Sequence, residues 1–179
     1  AIAENAYRRE LARSSGEEVV VGVNRYADGE DLSQVDLKRF ANLEGILVDA
    51  HFEKGITVGK EFFSGLKVKG KAVLINTNWS KHWRTDAYFE NHPYVTEEAA
   101  EYLRDQGATL VGIDSHNIDD TRTKRRPAHS VLLKAGILIV EHLCHLDKLP
   151  SEGFRFNAVP PKFKGVGTFP VRAYAEVKA

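Results

Sequence analysis

His129 and Glu141 are the residues whose types and surroundings point most directly to chemistry. His129 opens a short helical stretch. Glu141 sits inside the apolar run ILIVEHL, where a carboxylate is costly to bury unless a cation or a donor satisfies it. Imidazole and carboxylate together suit a hard or borderline divalent metal. The plainer alternative is that Glu141 faces solvent or pairs with Arg125, Arg126 or Arg172. His142 and His145 flank the only cysteine, Cys144, but on a strand they would point to opposite faces, which argues against a zinc pair there. Nothing beside Cys144 would depress its pKa, so it is a poor nucleophile. Asp114, Ser115 and His116 are consecutive, whereas catalytic relays are assembled from separated positions. Asp114, His116 and Asp119 instead suit supporting or substrate-contacting roles at the end of a strand. Arg122, Lys124, Arg125 and Arg126 read as a solvated basic face, and Gly165-Val166-Gly167 lacks the following helix of a phosphate loop.

The elements that must position these residues alternate short strands with short helices. GILVDA at Gly45, KAVLINT at Lys71, ATLVGID at Ala108 and ILIVEHL at Ile137 are apolar runs of strand length. Glu18–Val23 also reads as a strand, and Phe154–Val159 and Val171–Val177 alternate as half-buried ones. The spacing predicts a helix over Ala1–Ser15, another from an N-cap at Ser33 to Phe40, and a third over Thr57–Phe63. The clearest helix starts at Thr96, with Glu97 and Glu98 at its positive end, and closes at Gly107. A short one spans Ala128–Ala135, with Gly136 at its carboxyl end. Asn78–Tyr94, which carries Trp79, Trp83, Tyr88, Phe89 and Tyr94, has no clean period and reads as an ordered loop or an irregular helix. The pattern predicts an α/β or α+β domain, with helical connections too uneven for a regular doubly wound sheet.

Composition narrows the partners. The 179 residues hold 25 Lys plus Arg against 25 Asp plus Glu, so there is no cationic excess for nucleic acid. At 42% apolar residues, a packed core is affordable and disorder is disfavoured. No apolar run reaches the ~20 residues of a membrane helix. The first residues carry no signal-peptide pattern, and one cysteine excludes an intramolecular disulfide. These features predict a cytoplasmic protein that contacts neither nucleic acid nor membrane.

From Arg25 onward the chain resembles the cyclase family of metal-dependent hydrolases, which includes kynurenine formamidase (arylformamidase) and isatin hydrolase. The resemblance lies in RYADGEDLS at Arg25, KAVLINTNWSKHWRTDAYFENHPYVTEEAAEYL at Lys71 and LVGIDSHNIDD at Leu110. It continues through RPAHSVLLKAGILIVEHLCHLDKLP at Arg126 and GFRFNAVPPKFKGVGTFPVRAYA at Gly153. It implies a swivelling β/β/α domain, a homo-oligomer, a divalent metal (Zn or Mn), and a small-molecule amide substrate such as N-formylkynurenine or a cyclic amide. It also implies that His129 and Glu141 are metal-site positions, since the family has a His and a Glu at this separation. The family's other metal region, His-x-Gly-Thr-His-x-Asp-x-Pro-x-His, has no counterpart: no histidine precedes His51 and no Gly-Thr-His occurs. Glu4–Asn24 is instead similar to a segment of the large acyl-CoA mutase subunits. The domain reading is therefore an atypical 1–24 followed by a cyclase-family domain over 25–179. His51, His82, His92 and His116 are the histidines available as substitute ligands. Two functions follow as expectations: hydrolysis of a carbon–nitrogen amide bond by a metal-activated water, or an impaired scaffold that serves as an interaction or oligomer module. A third is an interaction module built on the aromatic loop from Trp79 to Tyr94.

Overall fold

Four apolar runs become the parallel centre of a mixed sheet. The computed structural model describes residues 21–24 and 32–177, so the expected helix over Ala1–Ser15 and the start of the Glu18–Val23 strand lie outside the described residues. The central strands are β2 (Leu43–Asp49), β4 (Ala72–Asn76), β6 (Leu110–Ile113) and β7 (Leu138–Glu141), adjacent in that order and parallel. Beside β2 run β8 (Glu152–Asn157) and then β10 (Tyr174–Val177), both antiparallel to their neighbours. Beyond β7 come β1 (Val21–Asn24) and β9 (Thr168–Val171), again antiparallel, which makes eight strands among the described residues. A separate parallel pair joins β3 (Thr57–Val58) to β5 (Tyr94–Val95).

Residue alternation sorts the two faces. Ile46, Val48, Val73, Ile75, Val111, Ile113 and Ile139 pack on one side, against α1 (Glu97–Asp105) and α2 (Pro127–Lys134). Leu43, Leu74, Leu110, Leu138 and Val140 face the other, covered by Phe40, Leu143, Leu146, Phe154 and Phe156. Central strands buried on both faces are continuous in apolar residues, which is why all five residues of β4 are buried. Gly45 lies opposite Phe154 across β2 and β8, and the phenyl ring occupies the space a Cβ would need.

The α1 cap is as expected: Thr96 accepts from the Ala99 N–H with its side chain, and Gly107 takes a positive φ of 76°. Gly136 does the same after α2. Three expectations are corrected. Ser33 caps no helix through Phe40: the segment makes two 3₁₀ turns, Leu32–Gln34 and Leu37–Arg39, the second capped by Asp36. Thr57–Phe63 divides into β3 and a 3₁₀ turn, Lys60–Phe63. Val171–Val177 is not one strand, because β9 and β10 belong to opposite edges of the sheet. The aromatic segment from Asn78 holds 3₁₀ turns at Trp79–His82 and Asp86–Phe89, linked by a hydrogen bond from the Trp79 indole N–H to the Tyr88 carbonyl. No described helix is long and apolar enough to cross a membrane.

Candidate metal-binding and hydrolytic site

The parallel strands end together, and their carboxyl ends carry the polar groups that the core rejects: Asn76 as the last residue of β4 and Thr77 after it, Asp114–His116 after β6, and Glu141 as the last residue of β7 with His142 after it. Such ends are where α/β sheets place their chemistry. The eleven buried polar or charged residues among those described include Asn76, Thr77, His92, Asp114, His116, Asp119, Glu141 and His142, so desolvated polarity concentrates here and not along the strands.

His129 and Glu141 lie side by side. Glu141 shares its parity with Ile139, so its side chain leaves β7 on the helical face. Its Oε1 accepts from the Ile118 N–H at 2.8 Å and lies 3.7 Å from His129 Nε2. Arg125, one of the alternative partners, pairs instead with Glu97. The other imidazole nitrogen, Nδ1, is 2.6 Å from Asp119 Oδ2. Asp119 also accepts from the backbone N–H groups of Ala128 and His129 at 2.7 and 3.1 Å. The order Asp119, His129, Glu141 therefore forms a short polar chain, with side chains 1%, 12% and 8% exposed.

The donor chemistry of this pair fits a divalent cation. An ionised carboxylate only accepts, so the imidazole donates Nδ1–H to Asp119. Nε2 is then the nitrogen that faces Glu141. At 3.7 Å the two atoms are too far apart for a hydrogen bond. Two zinc–ligand bonds of about 2.0–2.2 Å can span that separation. Among the described residues, no group of three or more His, Cys, Asp or Glu is arranged to hold a metal.

Asp114 has a different role. Its Oδ1 accepts from the Thr77 N–H at 2.8 Å and the Thr77 hydroxyl at 2.5 Å, and Oδ2 receives the Ser80 N–H at 3.5 Å. It pins the start of the aromatic segment to the end of β6. Burial pushes its pKa up, against the pull of those hydrogen bonds.

His116 belongs to an aromatic group. Its ring packs against Phe89 at 5.0 Å, His92 at 5.2 Å and His142 at 5.6 Å. The Tyr88 hydroxyl is 3.0 Å from His142 Nδ1. His92 contacts the Ser115 and Thr121 hydroxyls at 3.0 and 2.9 Å. The other candidate ligands are placed in separate contacts, His51 beside Asp49 and Asn76 and His82 against Trp79 and Phe52. β7 stops at Glu141, and His142 and His145 follow with φ of 62° and 57°, so the strand argument about their faces does not apply to them. Burial pushes the Cys144 thiol up, which keeps it protonated. Of the basic run, Arg122 forks onto Asp120 at 2.8 and 2.9 Å.

Burial also sets a pH dependence. It holds His142 down to about 3, with His92 adding to the effect, and burial lowers His92 as well. Both imidazoles are neutral when folded, whereas an unfolded chain protonates them near 6.5. The His142 contribution is intact above pH ~6.5 and is lost as pH falls from there toward about 3, at up to ~1.4 kcal/mol per pH unit, and His92 acts in the same direction. Asp114 works in the opposite sense, because its pKa is raised by burial and protonation relieves that cost as pH falls. Urea midpoints should therefore fall between pH 6.5 and 4.5, and fall less steeply in His142→Gln. A flat midpoint over that interval would contradict two buried neutral imidazoles.

This geometry defines a class: a mixed-sheet α/β protein with a His–carboxylate pair at the carboxyl ends of its parallel strands. A family model described as "Putative cyclase" matches residues 20–120, and the chain belongs to this Cyclase family. It is 26% identical to a kynurenine formamidase from Bacillus cereus over 147 residues, which cover 82% of this chain and 68% of that one. Isatin hydrolase A from Ralstonia solanacearum superposes with a TM-score of 0.79 at 22% identity, over 88% of this chain and 71% of that structure. A structure described as a predicted metal-dependent hydrolase from Bacillus stearothermophilus matches at TM-score 0.69 and 26% identity, over 86% and 74% of the two chains. The fold expected from the resemblance is thus the fold found.

Proposed function

We propose that this protein hydrolyses a carbon–nitrogen amide bond, as an arylformamidase-like member of its family, with a divalent metal (Zn or Mn) held in part by His129 and Glu141. The observation that carries this reading is the His129–Glu141 pair, two metal-compatible donors 3.7 Å apart at the end of β7, with the far side of the imidazole tied to a buried carboxylate. Further support comes from the likeness to kynurenine formamidases, to isatin hydrolases and to structures described as metal-dependent hydrolases.

The metal would supply a bound water of lowered pKa and a Lewis acid for the amide carbonyl. Glu141 offers its carboxylate while Ile118 N–H holds Oε1 in place. Donation of Nδ1–H to Asp119 leaves His129 Nε2 directed at Glu141. The Ile118 carbonyl accepts from Val95 N–H at 2.8 Å, so the loop presenting that amide is itself fixed by β5. As part of the same reading, the substrate is an N-formyl aromatic amine or a cyclic amide, and the chain works as a cytoplasmic homo-oligomer.

The test is hydrolysis of N-formylkynurenine by protein pre-incubated with Zn²⁺ or Mn²⁺, followed as release of kynurenine and formate. The proposal expects turnover above the uncatalysed rate that a chelator removes and added metal restores. Turnover indistinguishable from buffer with this substrate and with isatin would favour the scaffold reading.

A further inference from the structure

α2 begins without a side-chain cap of its own. Arg126 stands at the N-cap position with no capping bond, Pro127 follows, and the first turn contains no acidic residue. The helix is started instead by Asp119, from the connection after β6. Its Oδ1 takes the Ala128 N–H and its Oδ2 takes the His129 N–H. The same Oδ2 receives Nδ1 of the His129 ring at 2.6 Å. Asp119 is itself held by its own N–H, which donates to Asn117 Oδ1 at 2.9 Å, and its side chain is 1% exposed. One buried carboxylate thus fixes the backbone and the imidazole of one residue together.

We infer that Asp119 is the positioning residue of the pair: it locks His129 in the Nδ1–H tautomer, so that Nε2 presents its lone pair toward Glu141 as a metal donor. The inference rests on the proposed function for the identity of what Nε2 meets, but not for the tautomer. Three acceptor contacts converge on the carboxylate, so no rotation of its side chain could hold the ring through another oxygen without giving up a backbone N–H of α2. The ring orientation is therefore coupled to the helix start. A hydrogen-bonded carboxylate behind a ligating imidazole raises the basicity of the metal-facing nitrogen, and its loss costs ~10–100-fold in metal affinity.

The test is ¹⁵N NMR of the imidazole nitrogens in metal-free protein, with the His129 signals assigned by their absence in His129→Ala. Wild type should show a protonated Nδ1 and an unprotonated Nε2. Asp119→Ala removes the acceptor that faces the ring, so its His129 should lose the fixed Nδ1–H form and populate protonated Nε2. Zn²⁺ binding to this variant should weaken by ~10–100-fold relative to wild type. A protonated Nε2 with bare Nδ1 in wild type would overturn the inference, and that reading needs no variant to fold. Zn²⁺ affinity unchanged in a folded Asp119→Ala would overturn it too. Wild type that shows the expected tautomer yet binds no Zn²⁺ would sustain the assignment of Asp119 and sink the metal-dependent function instead.

Discussion

Glu141→Gln is expected to lose metal and activity together while it remains folded. The amide oxygen of Gln can still accept from Ile118 N–H, as Glu141 Oε1 does at 2.8 Å, so the loop after β6 keeps its anchor. The variant lacks the negative charge and the second anionic oxygen, the features that make a carboxylate a ligand for a hard or borderline cation. His129→Ala is its counterpart. Asp119 keeps both backbone N–H groups at the start of α2, so the helix survives although the imidazole is gone. Loss of a ligand should exceed the ~10–100-fold cost of losing a supporting partner. Each variant should therefore bind Zn²⁺ or Mn²⁺ more than ~100-fold more weakly than wild type and hydrolyse N-formylkynurenine at the background rate. Titration calorimetry and the formate assay read the two effects separately. Unchanged affinity in both variants would remove these residues from the site.

The second large effect is on stability. Asp114→Ala would strip the acceptor from the Thr77 N–H and the Thr77 hydroxyl, both buried, and from the Ser80 N–H. Each buried donor left without a partner costs ~1–3 kcal/mol. The burial cost of the carboxylate, visible in its raised pKa, is recovered on removal and offsets part of that. A net loss of ~2–4 kcal/mol at pH 7 is expected by urea unfolding, within the range of broken buried networks. The loss should grow as pH is lowered, because a carboxyl whose pKa is raised by folding stabilises the wild-type fold as it takes up its proton, and the variant has no such gain. Thr77→Val, which removes the hydroxyl alone, should cost ~1 kcal/mol. Asp114→Ala that unfolds at the wild-type midpoint would show that the β6 end does not hold the aromatic segment.

Much of this arrangement is legible in the sequence. β2, β4, β6 and β7 are readable because strands buried on both faces are uninterrupted apolar runs, and the α1 cap is readable because Thr96 and Gly107 act on backbone a few residues away. That Glu141 must meet a polar partner is readable because a charge in an apolar strand demands an explanation. What is not legible depends on distant partners. Thr77 and Asp114 are separated by 37 residues, and nothing local in KAVLINT announces that its threonine will meet an aspartate. Asp119 caps a helix that starts eight residues later, beyond the reach of rules that look for the cap next to the first turn. Tyr88 and His142 meet across 54 residues. Short segments mislead for another reason: over Thr57–Phe63 a two-residue strand and a single 3₁₀ turn share the apolar spacing of a short helix, and pairing of Thr57–Val58 with β5 decides the outcome. In Val171–Val177 the chain breaks at Arg172–Ala173: Val171 ends β9, which pairs with β1, and Tyr174–Val177 forms β10, which pairs with β8.

The central claim is that His129 and Glu141 hold a metal that this protein needs for hydrolysis. Elemental analysis of the full chain, purified after exposure to Zn²⁺ and Mn²⁺ and exhaustive dialysis, tests it most directly when wild type and Glu141→Gln are treated side by side. The account requires bound metal in near-stoichiometric amount in wild type and little or none in the variant. No retained metal in wild type, or equal metal in both, would contradict it.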